Sequence, residues 1–329
     1  MSAKRIIAVA AVIIVFLSVN LFLFFKITRR LGNNYSGTGQ MKMIDVSRYL
    51  PFENDSQLGK VESSLAFREG DDLPVLDGAA ALVPVYASVI ENCYPEGSVK
   101  YEGGEFSDDN YYGENFSSDS AMLYRNTIRG FKGVIEGTSD LFFSAYPSDE
   151  QLEFAAENGA ELEIVPVGRE AFVFFVSRNN PVEDLSSDQI RKIYSGEIQS
   201  WREVGGEEKA INPLVRSNGS GSQTMMEKFM GEKKIANRNL FAIFGASIGY
   251  SFRYYLSGMV PNENVKMISV DGIYPDVENI KNGDYPLSTF FYVIYRKDNT
   301  NPNLPRLVEW ILSEEGQEMM EKCGYVGVK

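Results

Sequence analysis

The chain has 329 residues, of which 44% are apolar and 23% charged, and its 45 acidic against 32 basic side chains give a formal net charge of −13. That length suffices for a large core divided into two lobes, and the negative charge argues against nucleic acid or an anionic membrane surface as partner. Histidine is absent, which removes Ser-His-Asp and Cys-His nucleophilic sites, histidine proton shuttles and the commonest metal ligand.

Residues 6–25 carry no charge. As a helix they would span roughly 30 Å, the thickness of a bilayer core. Lys4 and Arg5 precede the run, and Lys26, Arg29 and Arg30 follow it. The run is longer than the apolar core of a cleavable signal and lacks its small-residue exit, so residues 1–30 are expected to be an uncleaved single-pass membrane anchor. Cations on both sides leave its orientation open. Residues 31–70 are polar and broken, and are expected to be a tether and irregular lead-in rather than a domain.

The globular part is expected from Asp71 onward. Leu73–Leu76 predicts a short strand, and Asp77-Gly-Ala-Ala-Ala-Leu82 opens a helix running to about Cys93. Residues 96–116 are acidic, aromatic and Gly-rich, which predicts a loop. Asp108 and Asn110 resemble the start of a calcium loop, but Tyr112 stands where a ligand oxygen is needed. The Ser117–Ser120 cluster predicts an N-cap for a helix carrying Met122 to Ile128. Leu141–Pro147 predicts a strand and residues 149–158 a helix. Residues 162–167 and 171–176 predict two further strands, Ser186 caps a helix ending at Gly196, and residues 303–322 close the chain as one helix. Alternation of short apolar strands with helices of this length predicts α/β architecture. Cys93 and Cys323 lie in no metal-spaced cluster, leaving free thiols and a disulfide both open.

The stretch with most chemistry runs from Leu214 to Met230. An apolar strand end leads into Arg216, then a turn built on Gly219 and Gly221, then a helix that Ser220 or Ser222 can cap. The first helical turn carries N–H groups without intrahelical partners, and its dipole favours negative charge. Ser217, Ser220 and Ser222 add short donors, and Arg216 adds a fork suited to a tetrahedral oxyanion.

Six stretches in order, from Asp77–Leu82 through Gly137–Ser144, Gly168–Pro181, Ile193–Gly206 and Arg216–Ser222 to Ser313–Gln317 with Gly324-Tyr-Val, resemble the phosphate-binding proteins of bacterial ABC importers. The resemblance implies an α/β, two-lobe type II periplasmic-binding-protein fold, to which the sequence adds an N-terminal transmembrane helix. Lobe 1 would comprise 71–166 plus 276–329, and lobe 2 would comprise 167–275. The implied ligand set is Ala80 and Ala81 through backbone N–H, Ser118 or Ser120, Ser144, Arg216, Ser220, Gly221 and Ser222, with no metal and no cofactor. Two positions depart from the family. Three alanines replace the hydroxyl expected near Ala80, and Ala145 stands where an acid commonly accepts the proton of phosphate.

The Ser220 turn lacks the glycine frame of a nucleophile elbow, and no P-loop is present, so the expected protein is not an enzyme. The resemblance, with the apolar run 6–25, implies instead an extracytoplasmic receptor for phosphate or a similar oxyanion, held in the cell membrane and delivering to ABC permease subunits. The alternative is a membrane-tethered sensor or scaffold lobe with weak or no oxyanion binding.

Overall fold

The computed structural model describes Ser18 and residues 45–103, 115–216, 220–236 and 245–328. Its elements in chain order are β1 (Leu76–Gly78), α1 (Val83–Cys93), α2 (Asn126–Glu136), β2 (Leu141–Ser144), α3 (Asp149–Glu157), β3 (Leu162–Ser177), β4 (Asp184–Leu185), α4 (Ser187–Ser195), β5 (Ile211–Pro213), α5 (Gly221–Met230), β6 (Ala246–Phe252), β7 (Val265–Met267), β8 (Ser269–Val270), α6 (Val277–Asn282), β9 (Ser288–Arg296), α7 (Leu304–Ile311), α8 (Glu314–Lys322) and β10 (Val326–Gly327).

Strand β3 organises the rest. Its first half pairs antiparallel with β9, from Leu162 opposite Arg296 to Ala171 opposite Ser288. Its second half pairs with β6, from Phe172 opposite Phe252 to Val176 opposite Ile248. The strand therefore leaves one sheet and enters another, and β9 is the return path. The sequence predicts two strands here, 162–167 and 171–176. The structure has one, with a register shift between Pro166 and Gly168, a bulge that bends the strand without ending it. A Cβ on Gly168 would lie 2.1 Å from the Phe291 ring, so glycine is what lets β9 pass.

Two large apolar cores lie on either side of this crossing. One gathers α1, β1, β2, α7 and α8 around Tyr86, Phe143 and Trp310. The other gathers α4, α5, β5 and β6 around Phe174, Tyr194 and Trp201. A smaller cluster under α2 and α3 covers the far face of β2 and β9 with Phe131, Phe142 and Ile294. This is a mixed α/β, two-lobe architecture.

Local signals hold where capping chemistry decides. Ser148 with Gln151, and Ser186 with Gln189, form complete capping boxes, each satisfying two otherwise orphan donors. They fail where long-range pairing intervenes. Leu76 N–H donates to Ala121 and Leu123 N–H donates to Leu76, both at 2.8 Å. Residues 121–123 are thus spent on the edge of β1, and α2 cannot begin before Asn126. The Ser117–Ser120 cluster is not its cap. The closing helix is two helices, because Ser313 accepts the Gly316 N–H and starts α8 afresh. Gly316 permits the sharp turn, since a Cβ there would meet the Trp310 carbonyl at 2.3 Å.

From Val46 the expected tether is bound to the body. Val46, Tyr49, Leu50, Leu65 and Phe67 are buried in the first core. Gly59 N–H bonds Ser88 Oγ at 2.9 Å, Val61 N–H bonds Asn92 Oδ1 at 2.8 Å, and Arg48 reaches the Met259 carbonyl at 2.8 Å. No regular period announces such a strap. The apolar run 6–25 lies outside the described residues except for Ser18, and no helix among the described residues is long and apolar enough to cross a membrane. Cys93 and Cys323 are both free and buried; burial pushes the Cys93 thiol up to about 12.

Replacing Tyr49, which is 1% exposed, by alanine is expected to cost about 3–5 kcal/mol, the usual range for a buried aromatic. Urea denaturation checks this. A loss below about 1 kcal/mol would mean that the strap contributes little to the core.

Candidate functional site

Between the two cores, beside the β3 crossing, lies a cavity of about 230 Å³. Three helix starts point into it. The first is the 3-10 turn Ala80–Leu82 that precedes α1, the second is Asn126-Thr127 at the start of α2, and the third is Ser220-Gly221-Ser222 at the start of α5. Each brings main-chain N–H groups that have no carbonyl above them and a partial positive charge. Ser144, at the end of β2 and 3% exposed, joins them.

Arg216 comes from the loop after β5. Tyr250 Oη accepts its main-chain N–H at 3.0 Å, and Gln223 Oε1 accepts it at 3.3 Å. Gln223 belongs to the first turn of α5 and is 3% exposed, so the backbone of Arg216 is fixed by the same helix that offers its N-terminus. Burial pushes the Tyr250 hydroxyl up to about 12, and it stays a protonated donor to Gln223. The guanidinium itself is exposed and lies 5.8 Å from the centre of the Tyr255 ring. Ser220 caps α5 by accepting the Gln223 N–H at 3.2 Å, which leaves its own proton available.

Of the residues expected from sequence, Ala80, Ala81, Ser144, Arg216, Ser220, Gly221 and Ser222 all line this cavity. Ser118 and Ser120 do not. Ser118 is exposed, and Ser120 is wholly buried with its Oγ accepting the N–H groups of Lys100 and Met122. Ser217 and Gly219 lie outside the described residues, as does most of the calcium-like stretch from Asp108. Asn126 and Thr127 take the place expected for the Ser117–Ser120 cluster. Asn126 has φ 64°, and its Oδ1 accepts the Thr127 N–H at 3.0 Å. An Asn-Thr pair ahead of Ile128 and Phe131 is the legible signal, because asparagine tolerates this backbone region, although the helix start carries no side-chain cap bond. Asp140 accepts from Val75 N–H and Asn299, each at 2.8 Å, and holds a turn.

Among the described residues lining the cavity, Arg216 is the only cation and Glu170 the only acid. Arg169 and Glu170 are neighbours in sequence but do not pair. Instead Glu170 faces Arg253 at 3.3 Å, and its carboxylate accepts the N–H groups of Ala171 at 2.9 Å and Tyr254 at 3.1 Å. Arg169 lies over the Phe290 ring. Burial raises the Glu170 carboxyl above its ordinary range, against the opposing pull of Arg253. The site therefore offers converging donors, one exposed cation and one buried acid, an arrangement suited to a small oxyanion.

The fold and this cleft define a two-lobed α/β binding protein. The sequence profile of the PBP superfamily domain, PBP_like_2, matches residues 127–315, more than half of the chain. The chain belongs to the PBP superfamily. It is 24% identical over 230 residues to the phosphate-binding protein PstS of Bacillus subtilis, covering 65% of this chain and 73% of that relative. To PstS of Staphylococcus epidermidis it is 26% identical over 220 residues, covering 61% and 67%. A Clostridium perfringens chain solved with bound phosphate, described as a phosphate ABC transporter substrate-binding protein, superposes with a TM-score of 0.58. At 23% identity that match covers 78% of this chain and 99% of that one. A phosphate transport receptor from Vibrio cholerae superposes with a TM-score of 0.53 at 18% identity, covering 77% and 99%. At these identities the two structures speak for the fold.

Glu170→Gln keeps the shape of the protonated acid, so near pH 4, where the raised carboxyl is itself protonated and gives Arg253 no counter-charge, the variant is expected to match the native protein within about 1 kcal/mol. The raised folded value also fixes the pH dependence. The folded chain holds the Glu170 proton more tightly than the unfolded chain, so this contribution to stability is full below about pH 4.5 and is lost as pH rises through the raised value. The native protein should therefore lose stability relative to the variant as pH rises from about 4 toward neutrality. A native protein that gained stability over the variant with rising pH in denaturation curves would contradict the assignment.

Proposed function

We propose that this protein is an extracytoplasmic solute-binding protein that captures phosphate, or a similar tetrahedral oxyanion, between its lobes and delivers it to ABC permease subunits. The observation that carries the reading is the convergence of three helix N-termini and Arg216 on one cavity at the lobe boundary. Relatives named phosphate-binding proteins support the choice of ligand. We read the site as one that binds without a chemical step. The chain has no histidine to serve as a base, and Ser220 is framed by Asn218 and Ser222 rather than by the glycines of a nucleophile elbow. We place the lobe boundaries near 166/167 and 275/276; most of each large core falls on one side of them, although Val167 and Met259 pack in the first core and Ile280, Tyr285 and Val326 in the second, and hinge closure about the β3 and β9 crossings is the expected motion. The uncharged run 6–25 with its flanking cations supports a single-pass anchor that keeps the receptor at the membrane. A sensor or scaffold that has lost tight binding is the second reading, favoured by Ala80 and Ala145 standing where a hydroxyl and an acid are expected.

Calorimetric titration of the full chain with phosphate, sulfate and molybdate decides between them. Saturable phosphate binding is expected, and Arg216→Ala should raise Kd by about 10- to 100-fold, since hydrogen bonds to a charged group contribute about 1.5–3 kcal/mol. Arg191→Ala, which removes a cation stacked on Phe229, should leave Kd unchanged. No heat with any oxyanion would favour the sensor or scaffold.

A further inference from the structure

Behind the cavity, and not lining it, two charged residues join the loops that feed it. Asp77 is fully buried within β1. Its Oδ1 accepts the Gly78 N–H at 2.8 Å and the Arg125 N–H at 3.1 Å, and its Oδ2 accepts Arg125 Nε at 2.6 Å. The remaining guanidinium nitrogens of Arg125 donate to Thr138 Oγ1 at 2.7 Å and Ser139 Oγ at 3.1 Å. The pair sits two residues before Ala79 in one loop and directly before Asn126 in the other.

Helix α2 is shaped to admit this pair. A Cβ on Gly130 would stand 3.1 Å from Asp77 Oδ2, and one on Gly133 would stand 2.2 Å from Arg125 Nη2. Gly78 is equally confined, since its Cβ would meet the Tyr86 ring at 2.6 Å. A buried ion pair is a poor source of stability, because desolvation offsets most of its attraction. What it does supply is one fixed geometry, and here that geometry spans two binding loops.

The composition of the first loop makes that geometry consequential. Ala79, Ala80 and Ala81 carry no hydroxyl, so the loop can offer a ligand only main-chain N–H groups. A serine side chain can rotate to recover a hydrogen bond; a peptide N–H can only follow its backbone. Asn126 lies at φ 64°, and the direction of the Thr127 N–H depends on that turn being held.

We propose that Asp77 is a positioning residue for ligand binding: by gripping both the main chain and the side chain of Arg125, it sets the Ala80–Leu82 turn and the start of α2 at the spacing that an oxyanion requires. This rests on the oxyanion reading of the cavity, and the experiment separates the two. In the full chain, Asp77→Asn, Arg125→Gln, the double variant and the control Asp140→Asn would be compared by phosphate calorimetry, thermal unfolding and amide hydrogen exchange without ligand. Asp77→Asn and Arg125→Gln should each raise Kd at least tenfold. The double variant should be no more than about twofold worse than the worse single variant, because one tie is cut in all three. Asp140→Asn should lower the unfolding temperature comparably yet keep Kd within about twofold, which a merely structural role for Asp77 would not predict. Exchange should quicken at 79–82 and at 126–128 together in Asp77→Asn. If that variant does not fold, Arg125→Lys, which keeps the charge and the main-chain bond, should still raise Kd about threefold and quicken both loops. Wild-type Kd with unchanged exchange in a folded Asp77→Asn, or in Arg125→Lys if that alone folds, would overturn the proposal. Failure of the native protein to bind phosphate would overturn the oxyanion reading, and the exchange comparison would still decide whether Asp77 couples the two loops.

Discussion

The main-chain N–H groups in the first turn of a helix have no carbonyl to bond, and a protein must give them side chains, water or a ligand. In this chain three such turns, at Ala80–Leu82, Asn126-Thr127 and Ser220–Ser222, open on the same cavity. Much of the fold serves to bring them there. β1 and β2 run parallel and end beside one another, which places the Ala80 turn next to Ser144. β5 runs parallel to β6 and delivers Arg216 and the start of α5 from the other side. A net charge of −13 gives no general attraction for an anion, so the attraction must come from these local donors.

β3 makes the arrangement compatible with movement. One 16-residue strand belongs to two sheets, with a bulge near Val167 and Glu170 just beyond it. Glu170 bonds its own strand at Ala171 and the chain after β6 at Tyr254, while Arg253 reaches the Gly324 carbonyl near the C-terminus. The buried acid thus ties together three segments at the passage between the cores while also facing the cavity. Charge at this point is expensive to bury, which is why its proton balance is a sensitive reporter of the crossing.

How much of this could be read from the sequence differs from element to element. Capping residues were legible because their chemistry is local: Ser148, Ser186 and Ser220 each cap the helix that follows them. Arg216 and its turn were legible for the same reason, since strand end, cation, glycines and hydroxyls fall within a few residues. Asn126 and Thr127 were missed because an equally good capping cluster at Ser117–Ser120 stands just upstream, and only the pairing of residues 121–123 with β1 disqualifies it. The break between α7 and α8 was hidden by continuous helical periodicity; Ser313 and the confined Gly316 decide it. The strap from Val46 to Phe67 has no period at all, and its place is set by side chains of α1 that a one-dimensional pattern does not pair with it.

The central claim is that all three helix starts bind one anion. Nitrogen-15 NMR of the full chain, titrated with phosphate, reads each of their amide groups separately. The account predicts that amides at 80–82, 126–128 and 220–222 move together, with a single midpoint, as one charged ligand seats against the three turns. Shifts confined to one of the three turns, or unequal midpoints among them, would contradict it.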